Sequence, residues 1–113
     1  MRFPLPRPAL ATLIAVPLLL GLGGCSAGGT EHIVRIDGLK YVPADLDIKV
    51  GDTVIWDMES QGMPHDVVSD TDEFASELLT GGEFRHTFTQ AGEFPYHCTP
   101  HPPMTGTITV SED

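Results

Sequence analysis

The sequence predicts an all-β fold, a sandwich or barrel of short strands. Three observations carry this. From residue 31 onward, apolar residues recur at every second position, the period of a strand with one buried face. Gly, Pro and Asp interrupt that alternation at short intervals, as turns between strands require. A chain of 113 residues is also too short to divide into two cores, so about seven to eight strands share one.

Ahead of the strands stands a leader, residues 1–24. Arg2 and Arg7 precede an apolar stretch at residues 9–22, broken only by Thr12, Pro17 and Gly21, and Gly23-Gly24 leads into Cys25. A basic start, an apolar middle and a small-residue end are the parts of a secretory signal. The apolar stretch falls short of the roughly 20 residues that span hydrocarbon, so it reads as a signal and not as a permanent membrane helix. Small residues directly before a Cys resemble the lipobox of bacterial and archaeal lipoproteins, whose cysteine is lipidated and becomes the new N-terminus. An ordinary signal that happens to end near a Cys is the alternative. On the lipobox reading Cys25 is the lipidation site, residues 25–30 are the anchor and a flexible tether, and residues 31–113 are the folded domain.

Residues 32–37 are the first expected strand. Leu46, Ile48 and Val50 alternate up to the Gly51-Asp52 turn, and residues 53–58, with Val54 and Trp56, follow as the next. Residues 66–69 make a short strand, and residues 84–89 alternate again with Phe84, His86 and Phe88 on one face. Residues 94–98 come after the Ala91-Gly92 turn, and residues 105–110 close the fold. Residues 70–82 lack a strand period and form one helical turn or a loop.

From Cys25 on, four Lys and Arg face sixteen Asp and Glu, a formal charge of −12. Nucleic-acid binding rests on cations that neutralise phosphates, so this class of partner is excluded. Docking on anionic lipid through the protein surface is disfavoured for the same reason.

Two cysteines in an exported chain ordinarily pair, here Cys25 with Cys98. Lipidation of Cys25 leaves Cys98 as a lone thiol in an oxidising compartment, where it needs an occupant. Cys98, His101 and Met104 fall within seven residues between the last two expected strands, and His65 can reach them from an adjacent strand end. Two imidazoles, a thiolate and a thioether form a soft set that favours copper over Mg, Ca or Mn, and two His, one Cys and a weak axial Met is the general blue-copper arrangement. Zinc is the competing metal, since it also takes His and Cys, but it gains nothing from a thioether.

The run Tyr96-His97-Cys98-Thr99-Pro100-His101-Pro102-Pro103-Met104 resembles the ligand loop of the amicyanins, cupredoxins with a short His-to-Met spacing. Plastocyanins and pseudoazurins have a longer one. The similarity extends through Gly51-Asp52-Thr53-Val54-Ile55-Trp56, Met63-Pro64-His65 and Phe88-Thr89-Gln90-Ala91-Gly92. It implies a Greek-key cupredoxin β-sandwich with one type 1 copper ion that shuttles single electrons between extracytoplasmic redox partners. It also implies His65, Cys98 and His101 as equatorial ligands, Met104 as the axial one, and donor and acceptor proteins docking near His101. A monomer is expected, exported to the periplasm or the outer face of the cell membrane and held there by lipid on Cys25. Two positions depart from the family pattern: Asp66 stands where Asn is common, and Pro103 where an aromatic is common.

An enzyme is the first alternative class. His97 beside Cys98 resembles the His that ligates a second copper in nitrite reductases and multicopper oxidases. Strand alternation, however, turns His97 outward and His86 inward, so the two cannot share an ion, and no enzymatic role is expected. His32 is expected on a solvated strand face and Trp56 in the core. The second alternative, copper storage or delivery, would suit Met-rich or His-rich tracts. Besides Met104 the chain has only Met1, Met58 and Met63.

Overall fold

The structure, a computed structural model, describes residues 2–4 and 28–112. Cys25 and the end of the expected leader lie outside the described residues. Eight strands follow in order: β1 Glu31–Asp37, β2 Lys40–Val42, β3 Asp45–Lys49, β4 Thr53–Asp57, β5 Val68–Ser69, β6 Glu83–Thr87, β7 Gly92–Cys98 and β8 His101–Ser111. They build two four-stranded sheets, ordered β2-β1-β4-β6 and β3-β8-β7-β5. Both sheets are mixed, with β1 parallel to β4 and β3 parallel to β8. The chain changes sheet after β2, β3, β4, β5 and β6, which gives the expected Greek-key sandwich of eight strands.

Alternation decides which residues enter the space between the sheets. Val34 on β1, Ile48 on β3, Tyr96 on β7 and Ile108 on β8 are each buried between more exposed neighbours. Trp56 on β4 is fully buried, as the sequence predicts, and its ring centroid lies 5.4 Å from Tyr96, 5.5 Å from Phe84 and 5.7 Å from Phe74. These aromatic contacts tie both sheets to the 70–82 segment. That segment forms no helix: it returns along residues 65–69 through bridges Val68↔Ala75 and His65↔Leu79, and it inserts Phe74 into the core.

Most expected strands shift by one or two residues at an end, and three larger differences have local reasons. β2 is additional, because three residues with one inward side chain, Tyr41, show no period. It pairs with β1 through the two-residue loop Gly38-Leu39, where Gly38 takes φ 62°. β5 is only Val68–Ser69, since the backbone of His65 pairs with Leu79 and that of Val67 with Ser76. β8 begins at His101 and not at Thr105, with Pro102 and Pro103 tolerated beside a bulge at His97/Cys98.

His32 also differs. Its Nε2 lies 2.9 Å from Oδ2 of the buried Asp52, so it is half-buried and paired rather than free in solvent. Asp52 also accepts the N–H groups of Thr30 and Lys49, at 2.8 and 3.0 Å, and these donors hold its carboxyl below the usual range.

His86 points inward as predicted, with its ring 4.9 Å from Phe74 and 4.7 Å from Phe88. Burial lowers its pKa. The unfolded chain therefore binds a proton near pH 6.5 that the folded chain refuses, and stability falls as pH drops below that value. Urea midpoints of the wild type should decrease from pH 7.5 to 5.5, and the decrease should shrink in His86→Gln. Asp52 does not interfere, because its depressed carboxyl affects stability only as pH falls through the carboxylate range. Equal slopes in the two proteins would refute the assignment.

Candidate metal centre

β4 and β7 both run toward one pole of the sandwich, where Met58 follows β4 and Cys98 ends β7. At that pole Thr99-Pro100 makes a two-residue turn, and the ladder pairs Cys98 directly with His101. His65 approaches from the opposite sheet's connection, held by reciprocal backbone hydrogen bonds with Leu79 at 2.9 and 2.8 Å. The result is a convergence: Cys98 Sγ lies 3.6 Å from His65 Nδ1 and 3.5 Å from His101 Nδ1. The donor atoms of all three residues lie within 4.8 Å of one another. Among the described residues no other group of three or more His, Cys, Asp or Glu converges in this way.

Burial is graded across the site. His65 and Cys98 are fully buried, whereas His101 is half-exposed among the exposed Pro64, Pro100, Pro102 and Pro103. Met104, three residues after His101, is buried on the inward parity of β8 with Gly106 and Ile108, and it belongs to the same buried cluster as Cys98. The structure therefore brings His65, Cys98 and His101 together and places Met104 inward beneath the same loop. Cys25 lies outside the described residues.

Burial sets the protonation of the two buried donors. Burial pushes the Cys98 thiol up, and the nearby Asp66 carboxylate adds to this, while the backbone N–H groups of Asp66 and His101 pull it back. Burial, then the charge of His101, pushes the His65 imidazole down. The two groups thus resist becoming a thiolate and an imidazolium by themselves. A soft cation accepts the thiolate and the neutral imidazoles together, and the donor set fits copper.

Asp66 and Tyr41 brace the segments that carry His65, Cys98 and His101. Asp66 Oδ1 accepts the Thr99 N–H at 2.6 Å, bracing the turn between Cys98 and His101. The acceptor role that an Asn amide could fill is thus filled by a carboxylate. The Tyr41 hydroxyl donates to the Asp66 carbonyl at 2.6 Å, fixing the backbone next to His65. Sequence reasoning missed Tyr41, and its only signal is an aromatic residue between Gly38 and Pro43.

The remaining histidines stay apart from this centre. His97 Nδ1 contacts Asp70 on the outer face of β7, while His86 stacks inside on Phe74 and Phe88.

Comparison with known proteins agrees with this geometry. Residues 30–111 match the family of copper binding proteins described as plastocyanin/azurin. Amicyanin of Paracoccus denitrificans is 34% identical over 108 residues, which cover 90% of this chain and 82% of that protein. The structure of an oxidized amicyanin variant superposes with TM-score 0.63 at 35% identity, over 70% of this chain and 80% of that one. A Cu-containing nitrite reductase from Thermus scotoductus SA-01 superposes with TM-score 0.66 at 33% identity, over 72% of this chain but 22% of the reductase.

Proposed function

Because the chain belongs to the plastocyanin/azurin family of copper-binding proteins, we propose that it is an exported single-electron carrier that holds one type 1 copper ion. The convergence of His65, Cys98 and His101 on one buried point carries this reading. His65 and His101 are the imidazole ligands through Nδ1, Cys98 is the thiolate ligand, and Met104 is the weak axial ligand. Bound copper supplies the one-electron Cu(II)/Cu(I) couple.

The protein's contribution is stiffness and access. Electron transfer is fast when the ligands move little between oxidation states, and here the ladder, the His65–Leu79 pairing and the Asp66–Thr99 bond hold them. Pro100 adds rigidity and has no N–H with which to withdraw electron density from the Cys98 sulfur. His101 is the port: half-exposed among prolines, it brings an incoming protein within reach of the centre. Donor and acceptor proteins with basic rims suit the −12 charge of the chain from Cys25 on, and their association slows as salt rises.

The leader and Cys25 support the reading of an exported, lipid-anchored domain that works outside the cytoplasm. Storage or delivery of copper is not favoured, because Met58 is packed in the core and the chain has no Met-rich or His-rich tract. A catalytic second copper is not favoured either, given the separate settings of His86 and His97.

Optical and EPR spectra after addition of Cu(II) test the reading. An intense visible thiolate-to-copper band with a small parallel hyperfine splitting is expected. A colourless protein, or a tetragonal Cu(II) signal alone, would remove Cys98 from the ligand set and the electron-carrier function with it.

The carboxylate of Asp66 should stabilise the more positive oxidation state. Asp66→Asn keeps an oxygen for the Thr99 N–H and removes the charge, so voltammetry should show the potential rising, on the order of tens of millivolts. An unchanged or lower potential would show that Asp66 only braces the loop.

A further inference from the structure

The entry of the chain into the domain is fastened. Thr30 gives its N–H to Asp52 Oδ1 at 2.8 Å, and its carbonyl accepts the Thr53 N–H at 3.0 Å. Gly29 lies so close to the Gly51-Asp52 peptide that an added Cβ would sit 2.0 Å from the Gly51 oxygen. Residues 28–30, which the sequence assigns to a flexible tether, are therefore a strap laid on the turn between β3 and β4.

The strap and the metal centre occupy opposite poles. β1 leaves the strap and runs parallel to β4, which leads away toward Met58. Val50 donates to the Ser111 carbonyl, so the end of β8 shares the strap's pole, while β8 begins at His101. Along β7 alone, Gly92 to Cys98 separates the two ends by about 20 Å.

From this the geometry points to a fixed orientation at the membrane, resting on the proposed lipid at Cys25. Only two residues, Ser26 and Ala27, link Cys25 to Gly28, so the three steps between them reach about 11 Å at full extension. A freely jointed tether would let the domain roll until His101 met the bilayer, whereas the clamped strap holds its own pole against the surface. The charge of −12 on the chain from Cys25 on opposes lying flat on anionic lipid. The metal pole faces the aqueous side, and the redox partners are water-soluble proteins that arrive from there, not groups at headgroup level.

The test uses the full lipidated chain in vesicles that carry a contact quencher on the lipid headgroup. A fluorophore is placed either at Gln90→Cys, near the strap, or at Leu78→Cys, beside the His65–Leu79 pairing. Quenching should be at least about twofold deeper at Gln90→Cys, because the other label stands some 20 Å further out. Adding Gly29→Val, which lifts the strap, should bring the two labels to similar quenching. Equal quenching with the strap intact, or deeper quenching at Leu78→Cys, would overturn the orientation while leaving the copper reading untouched. Mass spectrometry of the same preparation separates the premise: an unlipidated Cys25 overturns anchor and orientation together, and the copper spectrum reports independently.

Discussion

Cys98→Ser is expected to abolish the intense visible band and the electron-transfer activity while leaving the fold in place. A hydroxyl in the position of Sγ is harder and far less acidic than the thiol, so it supplies neither a soft anion nor a charge-transfer donor. Removing a group that merely supports a metal ligand typically costs about 10–100-fold in affinity or activity. Loss of the proposed ligand itself, 3.6 and 3.5 Å from the two imidazoles, should exceed that. Circular dichroism and a denaturant titration check that the sandwich persists, and copper titration with optical detection reads the loss. A variant that remains intensely coloured would show that the sulfur of Cys98 is not the anionic ligand. His65→Gln and His101→Gln offer a graded comparison. His65 is fully buried and His101 half-exposed, so an exogenous imidazole should restore colour at position 101 more readily than at 65.

The largest effect on stability is expected from Trp56→Ala. Truncating a fully buried aromatic removes its transfer free energy and leaves a cavity, together about 3–5 kcal/mol. Domains of this kind are stable by only about 5–15 kcal/mol, so the variant should lose most of its margin. The position is sensitive because Trp56 touches three structural units at once: Phe84 on β6, Tyr96 on β7 and Phe74 in the 70–82 segment. Tyr96 lies two residues before Cys98, so loosening it reaches the metal centre as well. Trp56→Phe should cost much less, since it keeps a ring and also removes an indole N–H that is buried without a partner. Urea unfolding at neutral pH measures both. A loss below about 1 kcal/mol for the alanine variant would mean that the surrounding side chains collapse into the space.

The residues that converge at the candidate metal centre were legible because their chemistry is local and unusual. A Cys followed at short spacing by His and Met in a β-patterned chain narrows the function before any geometry is known. His65 lies 33 positions from Cys98, and only its reach from a strand end and the family resemblance joined it to the set. The strands with two or more inward residues, β1, β3, β4, β6, β7 and β8, were legible for a similar reason, since alternation over five or more positions is a periodic signal.

What the sequence determined by itself is therefore the β class, the acidic character and a set of soft donor residue types close together in the chain. Each is written in composition, short-range period or residue type. Only the tertiary structure decided that β2 forms, that Asp66 braces Thr99, that His32 pairs with Asp52, and that residues 28–30 are clamped at the pole opposite the metal. Those features join residues 20 or more positions apart or rest on a single inward side chain. A hydrogen bond at that separation leaves no period in the chain, and it exists only once the two sheets have closed on their shared core.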